Sequence, residues 1–229
     1  MYIIMKLIVI VLGIVVVVLS YILLRYFSDG PTKLMSVTSL KTGNTKIPVT
    51  NITSSTRYAF GVWIYINSWD TTNTKTIFSM PGKIKLYLGN MKPTLYVNIN
   101  LKGKSDSQTA IPITENFPLQ KWVYVTISVD NSFVDMYIDG KLIKSTKLDG
   151  IQIDAKESNV YLGGNPAILN DIIVAKFFKW TTPLSISDVW SEYNKGNGGS
   201  NAFYKALSSY GVNVNLLKDD VNTATFRLF

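Results

Sequence analysis

Alternation of apolar and polar residues, typical of a strand with one buried face, is clearest between Lys121 and Leu148. Every second residue from Val123 to Val129 is apolar, and a second alternation runs from Val134 to Ile138. Asp139-Gly140 favours the positive φ angles of a two-residue hairpin turn. A third strand follows from Lys141 to Leu148. The stretch therefore predicts three antiparallel strands that bury one face of their sheet.

Further strands of the same kind are predicted on both sides of this meander. They are Arg57–Trp69, Lys75–Met80, Lys83–Leu88, Pro93–Leu101, Asn159–Asn165 and Asp171–Trp180. Short strands at such spacing are typical of an all-β sandwich or barrel. Ser187 can cap a short helix that stops at Gly196. Beyond a glycine-rich linker we expect a short helix around 202–210 and an extended end at 223–229.

The N-terminal segment has a different pattern, because residues 7–24 carry no charge. A helix of this length is about 27 Å long, close to the hydrocarbon thickness of a bilayer. We expect an uncleaved transmembrane anchor in residues 1–27, and no small-residue cleavage site follows it. A buried core helix or a cleaved signal peptide is the alternative. The anchor residues are Leu7, Leu12, Val16 and Leu24 in the span, with Lys6 and Arg25 at its ends.

The distribution of basic residues favours a cytosolic position for the part of the chain after the anchor. Arg25, Lys33 and Lys41 follow the span, whereas Lys6 and the terminal amine precede it. The sequon Asn51-Ile52-Thr53 points to the opposite side of the membrane.

Composition excludes several kinds of chemistry. The chain has no cysteine and no histidine, which removes disulfides, the usual zinc sites, the Ser-His-Asp triad and the Cys-His dyad. The net charge of +8 favours anionic surroundings such as lipid headgroups or acidic proteins. The lysines are spread along the chain, so we expect no nucleic-acid partner. Lys83 and Lys85 alternate with apolar residues, as lysines that protect an exposed sheet edge do.

Four features in order resemble the concanavalin A-like, laminin G-like sandwich domains. They are the strand with Phe60 and Trp63, the Trp122 strand with its Tyr137-Ile-Asp-Gly140 hairpin, the Tyr161-Leu-Gly-Gly164 strand, and the helical turn after Leu184. The resemblance covers residues 58–196. It implies an antiparallel β-sandwich of the jelly-roll type in residues 35–196. A linker at 28–34 would join this sandwich to the transmembrane anchor, and residues 197–229 would form a C-terminal extension.

Glycoside hydrolases with a related sandwich use paired carboxylates about 5–9 Å apart. The three glutamates here, Glu115, Glu157 and Glu192, are isolated in the sequence. Asp135 and Asp139 would lie about 13 Å apart along one strand. We therefore predict that the protein is not an enzyme and has no catalytic residues.

Lectin-like sandwiches often hold calcium between loops, which makes Asn170-Asp171 and Asp130-Asn131 candidate ligands, although both pairs are also ordinary turn residues. We expect no cofactor, with calcium as the alternative. Sugar binding in such folds uses an exposed aromatic platform. The candidate platform residues are Trp69, Trp122, Trp180 and Asp70, whereas Trp63 and Trp190 are more typical of packing.

Two hypotheses follow. In the first, the chain resembles membrane-anchored minor capsid proteins of large DNA viruses with an internal membrane. It would be a non-enzymatic structural protein that links this virion membrane to a protein shell, with its domain on the cytosolic side. Its partners would be the lipid bilayer and shell proteins. In the second hypothesis, the chain is a membrane-tethered carbohydrate-binding or adhesion module whose partners are glycans.

Overall fold

The computed structural model describes residues 11–22, 30–42, 45–50, 52–164 and 171–197, and the backbone of 213–218 and 221–227. The helices are α1 (11–22), α2 (Asp106–Thr109) and α3 (Ile186–Asn194), with a 3₁₀ turn at Leu40–Thr42. The strands are β1 (Thr32–Ser39), β2 (Thr45–Pro48), β3 (Arg57–Ile66), β4 (Lys75–Met80), β5 (Ile84–Leu88), β6 (Leu95–Ile99), β7 (Ala110–Thr114), β8 (Trp122–Asp130), β9 (Phe133–Ile138), β10 (Lys141–Lys147), β11 (Asn159–Leu162), β12 (Ile172–Trp180), β13 (Asn213–Lys218) and β14 (Val221–Arg227).

Twelve of these strands form two six-stranded antiparallel sheets. Sheet A has the order β1-β12-β3-β8-β9-β10, and sheet B has the order β2-β11-β4-β5-β6-β7. The predicted hairpin between β9 and β10 turns at Asp139 (φ 48°) and Gly140 (φ 77°), as a tight two-residue turn requires. Strands β13 and β14 pair with each other as a separate hairpin.

The core lies between the two sheets and consists of the apolar residues of each alternation. Tyr58, Phe60, Val62, Ile64 and Ile66 point inward from β3, and all are almost fully buried. The ring centroid of Phe60 lies 5.1 Å from that of Phe78 on sheet B and 5.9 Å from that of Phe177 on sheet A. Such pairs add roughly 0.5–1.5 kcal/mol beyond the area they bury, so these rings tie the sheets together.

Helix α3 covers part of the outer face of sheet A. Its Val189 is fully buried in a cluster with Trp180 and Leu184. Its Tyr193 stacks on Trp63, with 5.6 Å between ring centroids. Sheet A is therefore apolar on both faces over much of its length, and its second apolar layer holds the aromatic residues of the candidate site.

The predicted all-β, antiparallel two-sheet sandwich is confirmed. The sandwich begins with β1 at Thr32, earlier than the predicted start at residue 35. The extended C-terminal end predicted at 223–229 overlaps β14, whereas the helix predicted at 202–210 lies outside the described residues.

Helix α1 carries the described part of the predicted anchor. Its side chains are exposed, including Leu12 at 64% and Val16 at 55%. Among the described residues, no helix reaches both the length and the apolar character needed to cross a bilayer. Leu7, Leu24, Lys6 and Arg25 lie outside the described residues.

Candidate functional site

The four predicted platform residues have different surroundings in the structure. Trp69 and Asp70 lie in the loop after β3, where Trp69 packs against the main core. The Lys75 ammonium lies 4.2 Å from the centre of the Trp69 ring and donates to the Asp70 carbonyl oxygen. The Asp70 carboxylate accepts hydrogen bonds from Thr72, which lower its pKa below the usual range. This loop is held by its own contacts.

Trp180 is only 4% exposed, because it lies beneath α3 beside Leu184 and Val189. Little of its ring is therefore exposed for stacking on a sugar. Trp122 differs. It stands half-buried at the start of β8, with its ring centroid 5.4 Å from that of Tyr65 on β3.

Trp122 borders a groove of about 470 Å³ on the outer face of sheet A, here called the Trp122 groove. It is lined by Lys33, Ser36, Val37, Trp122, Ala175, Lys176 and Asn197. Its volume lies in the range of small-ligand sites, about 300–1,000 Å³. One aromatic ring, two lysines and two small polar residues thus share a single concave surface.

Lys176 reaches this surface because of a β-bulge in β12. Val174 and Phe177 both point into the core, so the alternation slips by one residue between them, and the pairing of β12 with β3 shifts at the same place. Lys176 takes the positive φ of 44° that the bulge requires. Bulges often re-aim a side chain beside a binding site, and positive φ in a residue other than glycine is costly.

The surroundings of Lys176 lower its pKa. Burial lowers its pKa, the carboxylate of Glu192 raises it, and the nearby Lys195 and Lys33 lower it further. Its ammonium donates to the Lys195 carbonyl oxygen at 3.0 Å. Lys176 and Lys33 therefore repel each other across the groove, and an anionic group between them would relieve that repulsion.

The carboxylates predicted as calcium ligands have other partners. Asp171 accepts hydrogen bonds from Asn67 and Ser68, both at 2.8 Å, and lies 2.9 Å from the Lys41 ammonium. These contacts lower the pKa of Asp171 to about 2. Asp130 accepts from Arg57 and from Asn131. Within the described ranges, no group of three or more acidic residues could hold a metal ion.

The three glutamates occupy separate elements. Glu115 follows β7, Glu157 precedes β11 and Glu192 lies on α3. Glu157 accepts hydrogen bonds from Asn159 and Tyr161, which lower its pKa. Asp139 accepts a hydrogen bond from the Tyr124 backbone amide, and Asp135 lies near α3 in a different groove.

The comparison with protein families agrees with this architecture. The family model for laminin G-type domains, described as the concanavalin A-like lectin/glucanases superfamily, matches residues 40–176, which is more than half of the chain. The chain belongs to the concanavalin A-like lectin/glucanase superfamily. No curated protein matches it.

Solved structures similar to this superfamily member include binding domains of botulinum neurotoxins. The serotype G binding domain is 16% identical with a TM-score of 0.56, over 74% of this chain and 47% of that one. The serotype D ligand-binding domain in complex with N-acetylneuraminic acid is 15% identical with a TM-score of 0.55, over 74% and 47%. The neurotoxin DC binding domain in complex with rat synaptotagmin II is 20% identical with a TM-score of 0.52, over 67% and 40%.

This chain therefore aligns with less than half the length of these solved chains. At such identities the likeness shows the fold alone. The shared feature is the lectin-like β-sandwich.

Two features of the surface were missed by sequence reasoning. Trp190 packs over Gly140 and against Tyr193, as predicted, but it is also 47% exposed and forms an apolar groove with Ile186 on α3 and Leu142 on β10. The spacing of Ile186 and Trp190 on one helix face was the available signal. Lys176 was also missed, although the broken alternation in residues 172–180 marks its bulge.

Proposed function

We propose that this chain is a lectin-like binding module that recognises acidic glycans at the Trp122 groove. The observation that carries the proposal is the meeting of Trp122 with Lys33 and Lys176 around one concave surface. An indole face stacks on the apolar face of a sugar ring, and two ammonium groups attract a carboxylate or sulfate on that sugar. The net charge of +8 adds a long-range attraction for acidic ligands.

The similar neurotoxin domains support the class of ligand by analogy only. One was solved in complex with N-acetylneuraminic acid and another in complex with SialylT. The lectin-type fold hosts many functions, so the residues of the Trp122 groove must carry the argument. The separated carboxylates give no support to a hydrolase, and we propose binding without catalysis.

A panel of sialylated and matched neutral oligosaccharides tests the charge in this proposal. The purified full chain, in detergent micelles, should retain sialylated members and lose most of that preference in Lys33→Gln and Lys176→Gln. Lys85→Gln, a half-buried lysine on sheet B, is the control and should bind normally. Equal retention of neutral and sialylated members by the unaltered chain would contradict the proposal.

Calcium is tested with the same panel. We propose that binding persists in a chelator, because the candidate carboxylates of Asp171 and Asp130 already have lysine or arginine partners. If retention needs millimolar calcium, those partners must exchange for the ion, and the calcium-dependent form of the proposal replaces the calcium-free one.

The exposed apolar side chains of α1 favour a tether to a bilayer. The cytosolic position that the basic residues after the span favour belongs to the structural candidate below and not to glycan binding. The full chain should stay in the membrane fraction after alkaline carbonate extraction, and a chain lacking residues 1–29 should be released. Release of the full chain by carbonate would remove the tether from the proposal.

A second candidate function is a structural link between that membrane and a protein assembly. The exposed apolar groove of Ile186, Leu142 and Trp190 favours it, since such patches often meet other proteins. The minor capsid role in a virion stays a prediction. Cross-linking mass spectrometry on the native membrane or particle preparation tests it: links to an abundant shell protein support it, and absence from purified particles contradicts it.

A further inference from the structure

The groove beside Trp190, here called the Trp190 groove, gathers exposed apolar side chains from two elements of the fold. It has a volume of about 760 Å³, and Ile186 and Trp190 of α3 and Leu142 of β10 line it. Ile186 is 60% exposed, Leu142 is 44% exposed, and the next residue, Ile143, is 48% exposed. Single exposed apolar residues are normal on a folded protein, whereas several at one concave surface mark a place of contact.

The ring of Trp190 is held in position by the fold. A Cβ atom at Gly140 would lie 2.7 Å from Cε3 of Trp190, so the ring packs directly over the turn between β9 and β10. Its centroid also lies 5.6 Å from that of Tyr193. The groove is therefore formed before any partner arrives, and binding there costs little ordering of side chains.

The chain enters the sandwich beside α3. Gly30 and Pro31 are the first described residues after α1, and they line a pocket of about 250 Å³ with Asp188, Ser191 and Glu192 of α3. Leu184 lines both this pocket and the Trp190 groove. Residue 30 is eight positions after the end of α1 at residue 22, so at most about 29 Å of extended chain joins them. A bilayer that holds α1 therefore lies close to α3.

Basic side chains flank the apolar ones on β10. Lys141 and Lys147 are exposed at the two ends of this strand, whereas Lys144 donates to a backbone carbonyl oxygen of β7. Asp135 is the charged residue among those that line the groove, and Asp188 lines the pocket on the other side of α3. The two free lysines outweigh the one carboxylate, and exposed lysines beside an apolar surface attract anionic headgroups.

A lipid surface and a protein are the two classes of partner that such a groove fits, and the size of the apolar surface favours lipid. A stable protein interface buries about 800 Å² on each partner, more than four half-exposed side chains present. A tethered domain needs a much smaller surface, because the tether keeps its effective concentration at the bilayer high. Tryptophan rings are also enriched at the level of the headgroups.

We infer that the Trp190 groove is a lipid-docking surface, in which Ile186, Trp190 and Leu142 enter the interface of the bilayer and Lys141 and Lys147 meet its anionic headgroups. The nearness of that bilayer rests on the tether proposed above, whereas the exposed groove and its lysines do not.

This surface is separate from the Trp122 groove. Ile186 begins α3, and Asn197, which lines the Trp122 groove, lies beyond its end. The nine residues of α3 are about 13 Å long. Lipid docking is therefore a property additional to glycan binding.

A fluorescent label on a single cysteine tests the docking, because the chain has no cysteine of its own. Ser187→Cys places the label in the groove without removing an apolar side chain. Ser107→Cys is the matched control on α2, which lies beside β6 of sheet B. Each of these serines is exposed, is the second residue of its helix and lies near the hydroxyl of the N-cap serine.

The labelled full chain is reconstituted in vesicles of phosphatidylcholine and phosphatidylserine. Phosphatidylcholine that carries a spin label near its headgroup should quench most of the emission from position 187 and little of that from position 107. Ile186→Ser, at an exposed position, should reduce the quenching at 187. Equal quenching at the two positions, or quenching that Ile186→Ser leaves unchanged, would overturn the inference and leave the groove to a protein partner.

Vesicles of phosphatidylcholine alone test the lysines. The quenching at 187 should fall in them, because the anionic headgroups that attract Lys141 and Lys147 are absent. Unchanged quenching would remove the lysines from the inferred surface.

Carbonate extraction of the same vesicles separates the docking from the tether. Quenching at 187 in a chain that carbonate releases would sink the tether and leave the docking surface standing. A chain that carbonate does not release, with its label at 187 not quenched, would sink the docking surface and leave the tether standing.

Discussion

At the scale of single residues, position 61 on β3 requires glycine, because the side chains of Tyr124 and Trp180 pack directly over it. A Cβ atom at this position would lie 2.4 Å from the Tyr124 hydroxyl oxygen and 3.0 Å from Cζ3 of Trp180. We expect Gly61→Ala to lower the free energy of unfolding by about 1–3 kcal/mol through overpacking. Urea unfolding measures the change.

Gly13→Ala is the control for this prediction. A Cβ atom at Gly13, on α1, would meet nothing within 4 Å, so the unfolding of the sandwich should not change. If Gly61→Ala were as stable as the unaltered chain, the packing of Tyr124 and Trp180 over β3 would be wrong.

Asp171 should give the sandwich a measurable dependence on pH. Its folded pKa of about 2, set by Lys41, Asn67 and Ser68, is below the value near 3.9 of an unfolded aspartate. A depressed pKa stabilises the fold above about pH 4, and that contribution is lost as pH falls through 2. Asp171→Asn should therefore be less stable at neutral pH, and the difference from the unaltered chain should shrink between pH 4 and pH 2.

Lys41→Gln should reproduce part of this effect, because Lys41 is the largest cause of the lowered pKa. Urea unfolding at a series of pH values makes the comparison. Parallel acid curves for Asp171→Asn and the unaltered chain would show that the carboxylate is not held in this way.

Residue type alone predicted the exposure of some side chains correctly and that of others incorrectly. Trp122 lines a groove, but Trp180 is buried because α3 folds over it. Lys83 was predicted to protect an edge, yet it is 1% exposed and donates to the Thr53 carbonyl oxygen. Its burial lowers its pKa. Contacts of this kind join residues that are far apart in the sequence, so the local pattern of apolar and polar residues does not predict them.

At the scale of elements, α3 shows how a cap sets a boundary. The sequence predicted Ser187 as the N-cap, but the helix begins after Ser185, whose hydroxyl accepts from the Asp188 amide while the Asp188 carboxylate accepts from the Ser185 amide. By residue type, either Ser185 or Ser187 could be the N-cap of the helix. The reciprocal pair of hydrogen bonds in the structure identifies Ser185 as the cap.

Ser185→Ala should lower the free energy of unfolding by about 1 kcal/mol, because it leaves N-terminal amides of α3 without an acceptor. Thermal unfolding followed by circular dichroism measures the loss. Ser191→Ala, at an exposed position on the same helix, is the control and should cost nothing. Equal stability of the two variants would mean that the cap contributes nothing.

Strong alternation and turn chemistry predicted the elements around the centre of the chain. The strands β3, β4, β5, β6, β8, β9, β10, β11 and β12 all coincide with predicted strands. The strands β1, β2 and β7 were missed, since β1 and β2 are edge strands with mixed exposure and β7 contains Pro112. Edge strands bury little, so their sequences carry a weak pattern.

At the scale of the whole molecule, the ordered features of the sequence were enough to predict the two-sheet sandwich and its superfamily. They did not predict which surfaces would be concave. The Trp122 groove forms only when β1, β8 and β12 come together, so no local stretch of the sequence contains the site.

We predict that one surface, the Trp122 groove, carries the glycan binding proposed for this chain. Isothermal titration of 3′-sialyllactose into the full chain in detergent tests this most directly, with Trp122→Ala and Trp190→Ala compared side by side. Trp190 is the control because it is exposed but lines a different groove. We predict that Trp122→Ala loses about tenfold or more in affinity, as expected for a stacking ring, while Trp190→Ala binds normally. Normal binding by Trp122→Ala, or a greater loss in Trp190→Ala, would contradict it.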